Sequence, residues 1–273
     1  MKIAIGWGVK DRGFLVGLLV GALTMGTALP HLISLGGGAD WRLAVTVASI
    51  GAVIGGILCL LAQVGPHHGV ATKFDPRAIG MAWTNRRVRL AYAGYLGHMW
   101  ELYAMWAWIA AITAASYSAS MAAMDAEYYS KVTAFTAIAM GSIAGILAGL
   151  SADRVGKAKV ALLSMAFSGS AAIAVAVTFG GSVWLTFILV VIWGATVIPD
   201  SAQFSALVAD ASPPELAGSL MTFQTALGFT LTFFTVQMAP LLAASYGWPF
   251  VIVCLAAGPA FGIVAMARLR AMD

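Results

Sequence analysis

Eight long apolar runs alternate with short polar connectors along the chain, at positions 14–35, 43–64, 90–114, 132–151, 160–180, 183–208, 217–242 and 248–267. Each reaches the roughly 20 residues that a helix needs to cross a hydrocarbon core of about 30 Å. In lipid every backbone N–H and C=O must be paired within the segment, so such runs read as helices. The connectors carry Gly, Pro, Asp, Lys and Arg, the residues that break helices and seek water. The pattern predicts an all-α polytopic membrane protein with eight transmembrane helices. The longest connector, 65–89, starts with the breakers Gly65, Pro66 and Gly69 and ends in arginines. It reads as a linker between two helices in 1–64 and six in 90–273, and no connector is long enough for a soluble domain. Lys2, Lys10 and Arg12 precede the first run as in a signal peptide. That run exceeds the usual apolar length of about 7–15 residues and no small-residue cleavage site follows, so it reads as a true span.

Composition agrees with lipid as the main solvent. Hydrophobic residues make up 61% of the 273 and charged residues 10%, against about 25% charged in soluble proteins. The net charge of +4 does not point to nucleic acid, because no basic stretch is interleaved with stacking aromatics on a water-exposed face. It carries topology instead: Lys and Arg in short loops stay on the cytoplasmic side. With eight spans, one side receives 13 of the 15 cations (Lys2, Lys10, Arg12, Lys73, Arg77, Arg86, Arg87, Arg89, Arg154, Lys157, Lys159, Arg268, Arg270) and the other only Arg42 and Lys131. Both termini are expected in the cytoplasm, with the chain integral to a bacterial inner (cell) membrane. Cys59 and Cys254 lie in apolar runs, and no metal-ligand spacing, cofactor motif, phosphate loop, His-Glu-x-x-His or nucleophile elbow occurs. No enzyme, metal or cofactor is expected.

Only Glu101 and Asp200 place charge inside the eight runs. A carboxylate at mid-membrane costs about 2.5–3.5 kcal/mol on insertion scales and normally faces a cavity or a partner. Glu101 lies roughly 16 Å into its span at 1.5 Å per residue. His98, three residues earlier, shares its helical face, and a carboxylate beside an imidazole can share or pass a proton. A structural pair fixing two helices is the competing reading. Asp200 follows Pro199, which removes a backbone hydrogen bond and kinks helices; Gln203, Ser201 and Ser205 add polarity nearby. A broken, polar helix at membrane depth is tolerated where it lines a cavity or is buried in protein, so ligand binding and a gate-like or cap-like role both fit Asp200. Tyr92, Tyr95, Trp100, Tyr103, Trp106 and Trp108 surround Glu101, more aromatics than an interfacial belt requires. The penultimate span adds Thr222, Gln224, Thr225, Thr232, Thr235 and Gln237, a polar content suited to a cavity wall or a helix contact. His31 fits a packing or gate role, and His67 and His68 a solvated loop.

Between the fourth and fifth spans stands Gly149-Leu-Ser-Ala-Asp153-Arg154-Val-Gly156-Lys157-Ala-Lys159. It reads as a glycine ending the helix, an acid and a base, then a glycine turn before two more cations, and it fits either a breakable Asp–Arg latch or a plain positive-inside turn. The stretch resembles the Gly-x-x-x-Asp-Arg-x-Gly-Lys/Arg signature of the major facilitator superfamily of secondary transporters. In that family the signature follows the second helix of each six-helix half. The resemblance thus implies that 90–267 is a complete C-terminal half, helices seven to twelve. The two helices before the linker become helices five and six, with the first four helices of the family's pattern missing from the chain through a misplaced start, a split gene or a natural remnant. It also implies a use for glycines at four-residue spacing, Gly13, Gly17 and Gly21 in the first span and Gly141, Gly145 and Gly149 in the fourth. Small residues let backbones approach closely in lipid, and helices five and eight of the resembled fold abut across the two halves at a rocking interface. Pro30-His31 stands where the family's antiporters carry a Gly-Pro step, which argues against drug efflux.

The resemblance implies transport of a small solute by alternating access, coupled to an ion gradient. Protons would pass through Glu101 with His98. Tyr95, Asp200, Gln203 and Gln224 are the further candidates for substrate or proton contact, and Gly149, Asp153, Arg154, Gly156 and Lys157 for the latch. A non-transporting remnant, or a subunit that requires a separate N-terminal half, is the alternative. The expected partners are the bilayer, a small solute and protons, and for the subunit reading that missing half.

Overall fold

The computed structural model describes residues 12–37, 41–66 and 76–272, together with Ile3 and Trp7. The described residues are all-helical, with ten helices: α1 (Arg12–Gly37), α2 (Trp41–Leu60), α3 (Arg77–Thr84), α4 (Arg86–Tyr117), α5 (Ala123–Val155), α6 (Lys157–Val177), α7 (Val183–Thr196), α8 (Ser201–Asp210), α9 (Pro214–Tyr246) and α10 (Trp248–Arg270). Seven helical segments are long and apolar enough to cross a membrane: α1, α2, α5, α6, α7 with α8, α9 and α10. The remaining run, the third (90–114, in α4), falls short in apolarity because His98, Glu101 and many Tyr and Trp interrupt it. Its place in the fold explains this, since 18 of its 32 residues are buried against other helices. A helix covered by protein need not be apolar all round.

The molecule is built inside out relative to a water-soluble globule. Buried polar side chains include Thr24, His98, Glu101, Ser142, Ser168, Asp200, Gln203 and Gln224, while Leu58, Phe167, Trp184, Phe233 and Phe261 stand exposed. An apolar exterior around a partly polar interior suits lipid as the outer solvent. α4 and α10 cross so closely that a Cβ on Gly97 would lie 2.5 Å from the Gly258 carbonyl oxygen. Trp100 anchors the same crossing by donating its indole N–H to the Cys254 carbonyl at 2.9 Å.

Three expectations change in detail. The sixth run is one span by composition but two helices in structure: α7 ends at Thr196 and α8 starts at Ser201, with Pro199 and Asp200 in the break. Proline lacks the N–H that would continue the ladder, and Ser164 of α6 donates to the freed Thr196 carbonyl at 2.5 Å. Gly149 does not end its helix. α5 runs on to Val155, and the turn is the single residue Gly156 at φ +95°, a left-handed conformation that favours glycine. The linker read at 65–89 is partly helical, because α3 and the start of α4 occupy its second part; 67–75, with His67, His68 and Lys73, lie outside the described residues. Asn85 separates these two helices. Its side chain caps α4 by accepting from the Arg87 and Val88 amides at 2.9 and 3.3 Å, and its amide donates to the Ala211 carbonyl at 2.9 Å, which fixes the entry of α4 against the end of α8.

Candidate functional site

α4 carries two sets of polar chemistry on opposite faces. On one face Glu101 is 1% exposed. Its carboxylate accepts the Trp193 indole N–H from α7 at 2.7 Å and the Ser168 hydroxyl from α6 at 2.9 Å. One buried charge-bearing group thus ties three helices together. His98 does share the Glu101 face, but its partners lie elsewhere. Its Nδ1 stands 3.0 Å from the Asp200 carboxylate and its Nε2 is 2.9 Å from the Ser201 hydroxyl. The His98–Asp200 contact is electrostatic rather than an aligned hydrogen bond, since both atoms lack a bond of good angle. The direct His98–Glu101 pair expected from i,i+3 spacing is therefore replaced by two neighbouring pairs.

The break between α7 and α8 makes this arrangement possible. It places Asp200 at the N-cap position of α8 without using its side chain as a cap, which leaves the carboxylate for His98. Tyr95 and Phe204 close over the imidazole, with ring centroids 6.3 and 5.6 Å from it. Ser201, His98 and Asp200 thus stand in the order of a nucleophile, a base and an orienting acid. Neither cavity described below is lined by Ser201.

The other candidates divide. Gln203 is buried on α8 near this cluster. Gln224 is buried on α9, one turn from Leu220 and Gly228, which both touch α4: Tyr92 donates to the Leu220 carbonyl, and Gly228 packs on Tyr95. Neither amide atom of Gln224 has a hydrogen-bond partner among the described residues, so it does not join the His98 cluster.

The opposite face of α4 lines a cavity of about 430 Å³, walled by Thr27 of α1, Tyr103, Trp106 and Ala107 of α4, and Phe229, Thr232, Phe233, Val236 and Gln237 of α9. At about 100° per residue, Tyr103, Trp106 and Ala107 point roughly 140–240° round the helix from Glu101. Tyr103 stacks edge-on with Trp106 at 5.4 Å and tilts against Phe229 at 5.2 Å. Glu101 does not line this cavity. Tyr103, Trp106, Thr232 and Gln237 are singled out in the sequence, whereas Phe229 and Phe233 are not.

The glycines of α1 face α5 at two positions, Gly17 and Gly21, whereas those of α5 turn elsewhere. A Cβ on Gly17 would sit 3.3 Å from the Gly145 carbonyl oxygen, and one on Gly21 3.1 Å from that of Ser142. Ser142 donates its hydroxyl to the Gly21 carbonyl at 2.7 Å, so α1 and α5 pack backbone to backbone. On α5, Cβ atoms at Gly141 and Gly145 would both face the other way, against Ile198 and, for Gly141, Gly194 of α7. The surroundings of Gly13 lie outside the described residues. In the turn after α5, Arg154 is exposed and the Asp153 side chain lies outside the described residues. Lys157 pairs with Asp210 at the end of α8 at 2.6 Å, a link the motif did not reveal.

No family model matches the chain, and no curated protein is significantly similar to it.

Proposed function

We propose that the chain is a secondary solute carrier of the major facilitator type, with α1 and α2 as its fifth and sixth helices and α4 to α10 as its second six-helix half. It works by alternating access in a bacterial inner membrane, with both termini cytoplasmic. The solute occupies the aromatic cavity on one face of α4. Protons bind the Glu101, His98 and Asp200 cluster on the other, and α4 joins the two events. The observation that carries this reading is that one helix presents a buried, protonatable cluster and a cavity of solute size on opposite sides. Cavities of about 300–1,000 Å³ with apolar walls and a few polar groups suit small molecules. The close α1–α5 packing, where the family pattern has helices five and eight meet, also supports it.

The test is solute-dependent proton movement in proteoliposomes with an entrapped pH dye, challenged with amino acids, sugars, nucleosides and organic cations. A responding solute is expected to lose gradient-driven accumulation in Glu101→Gln but keep exchange of labelled for unlabelled solute. His98→Gln is expected to shift the pH optimum rather than abolish transport. Unchanged accumulation and pH profile in Glu101→Gln would reduce the cluster to a structural tie. A second reading, a subunit acting with a separate helical half, is favoured by α2, none of whose 20 residues is buried. Flux that appears only with a co-purifying membrane protein would select it.

A further inference from the structure

At the end of the bundle where α4 begins and α10 ends lies a second cavity, of about 590 Å³, unconnected with the solute reading above. Arg87, Lys157, Lys159 and Arg270 line it, with Asp210 as the one lining carboxylate among the described residues. These four cations come from three separate places in the chain: the first turn of α4, the first turn of α6 (two of them) and the last turn of α10. Lys157 is committed to Asp210 at 2.6 Å, and Arg87 donates to the Met272 carbonyl at 2.7 Å. Lys159 and Arg270 have no ion-pair or hydrogen-bond partner among the described residues. The uncapped N-terminus of α6 opens on the same space, since Gly156 provides no side-chain cap and Gly156, Lys157, Ala158 and Lys159 all line the cavity. Free N–H groups and the helix dipole there add to the positive potential. Val155, Leu207 and Leu269 supply an apolar wall.

We propose that this cavity binds a phosphate ester, with Lys159 and Arg270 as its principal cationic contacts. Solvated positive-inside loops explain why cations lie at this end. They do not explain why four converge on one concave space with two left unpaired beside an open helix N-terminus. Basic pockets between helices on the cytoplasmic side suit anionic headgroups, and a soluble phosphate ester offers the same chemistry. An anion held there would bridge the ends of α4, α6 and α10, two of which, α4 and α6, carry Glu101 and its partner Ser168.

The experiment follows thermal unfolding of the full chain in phosphatidylcholine nanodiscs, titrated either with phosphatidylglycerol in the bilayer or with glycerol phosphate in solution. A saturable rise in midpoint with either probe is expected. The double variant Lys159→Gln/Arg270→Gln should weaken the apparent affinity about tenfold or more, while Arg154→Gln, an exposed cation outside the cavity, should leave it unchanged. A rise with the lipid alone assigns a headgroup, and a rise with the soluble ester assigns a free ligand. If neither probe raises the midpoint, or if Arg154→Gln weakens it as much as the double variant does, the cavity is only a general surface charge and the proposal falls. Should the double variant fold poorly, the charge-keeping pair Lys159→Arg/Arg270→Lys tests the site, since it must retain the response.

Discussion

At Glu101 the competition is between desolvating a carboxylate and satisfying two buried donors. Ser168 has a fallback, because its hydroxyl also reaches the Met165 carbonyl at 3.3 Å. The Trp193 indole has none, and Trp193 is fully buried. Leaving a buried donor unsatisfied costs about 1–3 kcal/mol, whereas replacing both partners by apolar groups can be nearly neutral. Glu101→Leu is therefore expected to destabilise by about that amount, and Glu101→Leu/Trp193→Phe by clearly less than the sum of the two single changes. Unfolding in detergent measures this cycle without knowledge of any solute; strict additivity would mean that the Trp193–Glu101 bond carries no stability. The importance of Glu101 was legible in the sequence as a charge where charges are costly. Its partners were not, because Ser168 and Trp193 lie 67 and 92 residues away and look like ordinary residues of apolar spans. The same holds for His98, whose nearest acid along the chain is Glu101 but whose nearest in space is Asp200.

Helices in this protein are positioned by what glycine permits and proline forbids. The Gly97–Gly258 crossing brings α4 and α10 into backbone contact, so Gly97→Ala would force a Cβ to within 2.5 Å of a carbonyl oxygen. That change is expected to lower the unfolding midpoint by several degrees, consistent with an overpacking cost of about 1–3 kcal/mol. Gly51→Ala on α2 has open space around it and is expected to be neutral or mildly stabilising, by about 0.5–1 kcal/mol, since alanine is the better helix former. Equal effects of the two would show that the α4–α10 crossing is loose. All eight apolar runs were legible, seven of which are helices long and apolar enough to cross a membrane, and the α7–α8 break was legible as Pro199. Which side of each helix turns inward was not. In a span apolar on every face, periodicity carries little orientation, and close packing decides which glycine meets which neighbour. Gly141 and Gly145 show this: spacing turns them toward α1, but in the fold the space in front of each is filled by Ile198, and for Gly141 also by Gly194 of α7.

The molecule as a whole has two chemically different ends. α5 has 33 residues, so it is about 50 Å long at 1.5 Å per residue and exceeds a hydrocarbon core of about 30 Å. Met124 and Arg154 lie near its opposite ends, and both are exposed. The end with Arg154 also gathers Arg87, Lys157, Lys159 and Arg270 around one cavity, while Lys131, paired with Glu127 at 2.8 Å, stands toward the other. If retention of cations sets the orientation, the Arg154 end faces the cytoplasm and the Met124 end faces outward. The native cysteines need care, because Cys59 is exposed and Cys254 partly so; both are first replaced by serine. In that background, Met124→Cys is expected to react with an impermeant maleimide added to intact cells, and Arg154→Cys only after the membrane is opened. Arg270→Cys should behave like Arg154→Cys, because α10 ends beside the start of α6. Labelling of Met124→Cys and Arg154→Cys alike from outside would show that α5 does not span the membrane. The reverse order would keep the span but invert the orientation, and with it the side from which a phosphate ester would reach the basic cavity.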